Sequence, residues 1–178
     1  MHAALERISA DLAVRDHPRA VAVGHAFVID SATRADDVAT SSERDLAVGG
    51  VQVVPAALFE GRGIDYVALG HLHRPREVRS AEPMIAYSGS LLRYSLSEAN
   101  DVKSVVIIEV GPPGAGVSAQ RIEVPQSRGM TRLRGTIDEL TGDDFAVHRD
   151  DFVELVIVDA AYPDRMHARL DAAFPFAP

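Results

Sequence analysis

Two stretches, "VAVGHAF" at residues 21–27 and "DYVALGHLH" at residues 65–73, share one pattern: a short apolar run closed by Gly-His. Apolar runs this short, bounded by glycine and polar residues, read as strands rather than helices. Their apolar continuity, in place of alternation, predicts cover on both faces. Two buried strands ending in Gly-His, lying side by side in one sheet, would bring His25, His71 and His73 to one edge. In an extended backbone residues i and i+2 point the same way. His71 and His73 would then share one space while Leu72 turns back into the core. Gly70, just before them, permits a sharp turn or the close approach of a ligand.

Around these strands the chain reads as mixed α/β. Leu5, Ile8 and Leu12 recur at helical intervals, which predicts an amphipathic helix ahead of the first strand. Residues 30 to 50 are polar and end in "GG", which is loop chemistry. "VPAALFEG" predicts a short helix opened near Pro55 and stopped at Gly61. "PMIAYSGS", "KSVVIIEV" and "GVSAQRIEV" continue in strands, with "GPPGAG" as the turn between the last two. The composition shifts near "VPQSRGM". After it "RLRGTIDELTG", "DFVELVIVDA" and "PDRMHARLDAAF", opened by Pro163 and Asp164, predict a strand–helix–strand–helix unit of satellite-domain size. The expected division is residues 1–126 and 127–178.

Composition excludes several classes. At 178 residues, 47% hydrophobic and 25% charged, the chain can bury a core of its own. Its apolar runs are too short and too interrupted to span a bilayer, so no membrane partner is expected. The first residues do not read as a signal peptide, and with no cysteine, thiolate metal sites and disulfides are ruled out; the expected address is cytoplasmic. A net charge of −8 argues against a surface coated with phosphate contacts. Arginines nevertheless gather at "RPREVR" and in "RIEVPQSRGMTRLRG", a local basic strip that either follows nucleic acid or is a solvated loop.

A histidine pair at the mouth of a buried strand suits divalent metals. Three histidines could hold a mononuclear zinc ion with a position open for water. Against this, one histidine beside an apolar strand is more often a hydrogen-bonded structural residue than a ligand. It is the joint occurrence of His25, His71 and His73 that favours the metal reading. His2, His17, His148 and His167 lie in helical or polar surroundings and are expected to be solvated. "YSGSLLRYSLSE" adds Ser88, Ser90, Arg93, Tyr94 and Ser95, hydroxyls and a guanidinium of the kind that position phosphates, against the alternative of an ordinary polar turn.

"DYVALGHLHRPREV" followed by "IAYSGSLLRYSLSEANDVKSVVIIEV" resembles the second half of the SbcD nuclease family, calcineurin-like metallophosphoesterases with a Gly-His-x-His motif. "VGHAFV" resembles that family's preceding single-histidine motif. "SSERDLAVGGVQVVPAALFEG" is similar to the segment between the two, and "RLRGTIDEL" with the final β-α unit to the small DNA-capping domain. The resemblance implies part of a metallophosphoesterase β-sandwich with a small α/β cap. It also implies two divalent metal ions, manganese, with His25 and His71 on one and His73 on the other. Two ions about 3.5–4 Å apart would activate water and stabilise the leaving oxygen of a DNA phosphodiester. Ser88, Ser90, Arg93, Tyr94 and Ser95 would lie by the DNA cleft. The partners implied are DNA, the SbcC ATPase subunit and a second copy of the parent, in a cytoplasmic, nucleoid-associated setting.

The family's opening motifs, an Asp-x-His, a Gly-Asp and a Gly-Asn-His-Asp, have no counterpart here. The expectation is therefore a C-terminal portion that is inactive alone and has no catalytic residue of its own. Leu91 and Arg76 depart from the family's usual proline and glutamine without removing a ligand. The alternatives are a phosphoesterase for nucleotides or small phosphodiesters and a non-catalytic module that binds DNA or a partner.

Overall fold

The computed structural model describes residues 1–16, 18–30, 53–79, 81–162 and 164–177. From residue 31 onward the loop expected over residues 30 to 50 lies outside the described residues, as do His17 and Pro163. The architecture is mixed α/β with several small sheets, among the described residues one of four strands and three of two. The chain divides into two compact units, Met1–Leu92 with Val102–Val124, and Arg93–Asp101 with Pro125–Pro178. Among the described residues no helix is long and apolar enough to cross a membrane.

In the first unit, helix α1 (His2–Ala13) buries Leu5 and packs Leu12 against the same core, while Ile8 stays exposed. The strands are β1 (Val21–His25), β2 (Val28–Ile29), β3 (Val54–Pro55), β4 (Tyr66–Gly70), β5 (Arg76–Arg79), β6 (Met84–Tyr87), β7 (Ser104–Val110) and β8 (Val117–Glu123). β1, β4 and β6 run parallel, and antiparallel β5 completes the order β1-β4-β6-β5. Asp65 ties the strand starts together. Its carboxylate accepts the Ala20 amide at 2.7 Å and pairs with Arg19 at 2.8 Å. At the other end His25 lies opposite Gly70, and Leu69 opposite Tyr87. Three strand ends thus share one edge, where open α/β sheets present their ligand sites.

Three expectations need correction. β4 is buried as its apolar run predicts, but β1 is not covered on both faces: Val21 and Val23 are 43% and 84% exposed. Burial instead alternates along β1, an outer strand of the described sheet, with Val21, Val23 and His25 on the exposed face. The helix expected from Pro55 is a four-residue 3-10 turn, Ala56–Phe59, because Pro55 itself is engaged in the β2–β3 pair. "REVR", read as part of a charged strip, is β5, an edge strand that tolerates charge because one side faces solvent. The β7–β8 hairpin turns through Gly111–Gly116 as expected.

The second unit holds β9 (Met130–Gly135), α2 (Ile137–Thr141), β10 (Phe152–Ile157) and α3 (Met166–Ala173), in the strand–helix–strand–helix order its sequence predicts. β9 and β10 are parallel, joined through α2 and a 3-10 turn at Asp143–His148. Thr136 and Glu139 form a reciprocal capping box that starts α2. Leu133, Leu140, Val153 and Phe174 make the core.

Candidate functional site at a histidine-bearing sheet edge

The edge where β1, β4 and β6 end is built from backbone geometry first. β1 delivers His25 next to Gly70, and the absence of a side chain there lets the imidazole lie against the backbone. A Cβ on Gly70 would stand 3.0 Å from His25 Nδ1. The chain then leaves β4 through His71, whose φ is +112°. That value is rare for any residue with a Cβ and costs about 1–3 kcal/mol, a strain that typically collects at functional sites. It breaks the extended alternation expected for His71-Leu72-His73. Leu72 still reaches the core, at 3% exposed.

The strained turn sets the His71 ring edge-on to His25, with centroids 5.4 Å apart and planes at 80°, and beside Phe27 at 5.9 Å. Two of the three expected imidazoles are therefore brought together across β1 and β4. His73 brings its backbone carbonyl to the same edge. Its carbonyl accepts the Ser90 amide at 3.0 Å and the Lys103 ammonium at 3.1 Å. Among the described residues no three His, Asp or Glu side chains gather into a group that could hold a metal ion. The described donor set therefore does not by itself fit the two-ion centre that the resemblance implies.

Beneath the pair, fully buried Tyr87 at the end of β6 reaches across the sheet. Its hydroxyl donates to Ala26 O at 2.8 Å and accepts the Val28 amide at 2.7 Å. This fixes the segment that follows His25. Gly89 (φ +82°) brings the next loop against the histidine turn so tightly that a Cβ there would stand 2.8 Å from His73 O. Ser90 bonds that same carbonyl, and its hydroxyl also donates to Leu92 O at 2.7 Å. Ser88 follows Tyr87 directly, and its carbonyl accepts Ser104 Oγ at 3.4 Å.

The other expected phosphate-positioning residues belong to the second unit. Arg93 turns two guanidinium nitrogens onto Asp101 O at 3.2 Å, an anchoring contact within that unit. Ser95 bonds Ser97 at 2.7 Å and Glu98 at 3.3 Å, whereas the Tyr94 side chain is exposed. In the arginine strip, Arg128 lies over the Phe176 ring at 3.4 Å and Arg132 pairs with Glu154 at 2.8 Å, so part of that charge is spent internally.

Nothing local in the sequence marks Tyr87 or Lys103 as site residues. The signals are indirect: a tyrosine at the end of an apolar strand just before "SGS", and a lysine opening the apolar run "SVVIIEV".

Fold and site together define a mixed α/β protein with an imidazole pair mounted where the parallel strands of a mixed sheet end, at a strained turn. No family model matches the chain. Among curated proteins it is 48% identical over 73 residues to the SbcD subunit of the SbcCD nuclease of Bacillus subtilis, and 42% identical over 71 residues to the protein of the same name from Staphylococcus epidermidis. These matches cover 41% and 40% of this chain and 18% of each relative. They support the SbcD-family resemblance, for a chain that matches under a fifth of those relatives' length.

Proposed function

We propose that the chain is part of the nuclease subunit of an SbcCD-type complex, which hydrolyses DNA phosphodiesters in duplex ends and single strands. The observation that carries this reading is the His25–His71 pair at 5.4 Å, on a sheet edge where parallel strands end. The similarity to two SbcD proteins supports it. In this reading His25, His71 and His73 serve divalent ions, manganese by family analogy. The remaining ligands would come from the family's opening motifs, which have no counterpart in this sequence, so the chain alone is inactive. The ions would supply Lewis-acid activation of the phosphodiester; this chain's own contribution is to hold imidazoles at a fixed separation. Ser88 and Ser90 would steady a phosphate beside them. The second unit, with Arg93, Tyr94 and Ser95, would act as the capping, DNA-binding domain. DNA, an SbcC-type ATPase and a second copy of the parent are the partners, in the cytoplasm at the nucleoid.

The test is cleavage of linear duplex and circular single-stranded DNA, with Mn²⁺, by the parent protein and by the 178-residue chain. His25→Ala and His71→Ala should each lower the parent's rate about a hundredfold or more, and the chain alone should not cleave. Wild-type rates in both variants would overturn the assignment.

A further inference from the structure

We propose that Lys103 is a positioning residue for the turn that carries His71 and His73. It rests on reading that turn as part of the site. Lys103 is 1% exposed, and its ammonium donates to His73 O at 3.1 Å and to Ser90 Oγ at 3.0 Å. Taking an ammonium out of water is costly, and an apolar side chain of similar volume would fill the same space without that cost. Packing alone does not explain the charge, and its donation to these two acceptors is one use the fold makes of it.

The His73 carbonyl is a node. It receives the Lys103 ammonium, the Ser90 amide at 3.0 Å and the Ser90 hydroxyl at 3.4 Å, with Gly89 pressed against it. The next residue, fully buried Ser104, reaches Ser88 O at 3.4 Å. The entry to β7 thus holds both loops of the sheet edge, the one after β4 and the one after β6. Lys103 is itself anchored by the hairpin, since its carbonyl accepts the Val124 amide at 2.8 Å. A strained turn such as that at His71 persists only where its surroundings over-determine it. The charge-assisted bond to His73 O, two residues on, is a restraint of that kind.

The experiment follows backbone amide exchange and histidine ring resonances by NMR in the wild-type chain and in Lys103→Met, Lys103→Arg and Ser90→Ala. In Lys103→Met the Ser90 amide should exchange about tenfold faster or more, and the His71 and His73 rings should shift. The sheet amides of Val67 and Ile85 should stay within about twofold. Lys103→Arg, which keeps the charge and the donors, should restore most of the Ser90 protection. Uniform acceleration of all these amides, or an unchanged Ser90, would overturn the proposal. If Lys103→Met does not fold, the other two variants decide: Arg must retain Ser90 protection and Ser90→Ala must shift the His73 ring. A Mn²⁺ titration of the parent protein, which brings the remaining ligands, separates the two readings. Rings of His25 and His71 untouched by Mn²⁺, with Ser90 still loosened in Lys103→Met, would leave the positioning role standing and count against the metal reading alone.

Discussion

Replacing Tyr87 with phenylalanine isolates one oxygen atom that links the end of β6 to the segment after His25. The ring stays and fills the same volume, so the change removes hydrogen bonds rather than packing. Val28, 1% exposed, loses the acceptor of its amide at 2.7 Å, and Ala26 O loses its donor at 2.8 Å. Stranding a buried amide costs about 1–3 kcal/mol; a half-buried carbonyl can turn to water and costs less. The sum is about 2 kcal/mol. For a cooperative unit of roughly a hundred residues each kcal/mol is worth about 4 °C, which predicts a fall of roughly 8 °C in the first unit's Tm. Because the chain has two units, thermal scans should be paired with amide exchange, which localises the loss. Val28 should exchange about thirtyfold faster, the His25–His71 ring contact should weaken, and β9 and β10 should be unaffected. An unchanged Tm with normal Val28 protection would show that the hydroxyl does not tether this segment.

The strain at His71 predicts an inverted order of stability: His71→Gly should be more stable than His71→Ala by about 1 kcal/mol, because only glycine relaxes at φ +112°. Equal denaturation midpoints for the two would refute strain there. Gly70→Ala should push the His25 ring, 3.0 Å from the new Cβ, away from His71 while costing the fold less than about 1 kcal/mol, as the ring can give way; ring-to-ring NOEs and Tm check both parts. In the second unit, the Thr136 backbone amide at 2.7 Å and then its hydroxyl at 3.0 Å hold the Glu139 carboxyl below the usual carboxylate range. A depressed folded value gives stability that is present above the unfolded carboxylate value and is lost as pH falls through the folded one. Glu139→Gln should therefore destabilise at neutral pH and approach wild type in acid, and a pH-independent difference would contradict the linkage.

Much of the first unit was legible because the Gly-His pattern marks strand ends whatever surrounds them. β4, β6 and the β7–β8 hairpin follow from apolar runs and turn residues alone. The exposure of Val21 and Val23 was not legible, since an apolar run looks the same whether or not a second layer covers it. Nor was the 3-10 turn at Ala56–Phe59, whose helical residues lack the length to build a full helix. The convergence of three imidazoles was read from an extended backbone through residue 73; the chain instead turns at His71 with a positive φ, and the His71 ring meets that of His25. Lys103 and Tyr87 act on partners 30 and 59 residues away, a separation that no local pattern encodes.

The sheet edge carries three features that each work against stability. His71 sits at φ +112°, Lys103 is buried, and Gly89 gives up a side chain so that its backbone can lie against His73 O. A fold that needed only to bury β4 could end it with glycine at 71 and open β7 with leucine at 103. Among the described residues the other non-glycine positive φ, at Arg165 (+51°), lies in the ordinary left-handed region just before α3, where the penalty is small. The strain at His71, the buried Lys103 and the close approach of Gly89 thus meet where β4 and β6 end, and they bear on the same few atoms: the His71 ring and the His73 carbonyl. Costs that accumulate at one edge are explained by what that edge must hold still, which is the relation of His71 to His25.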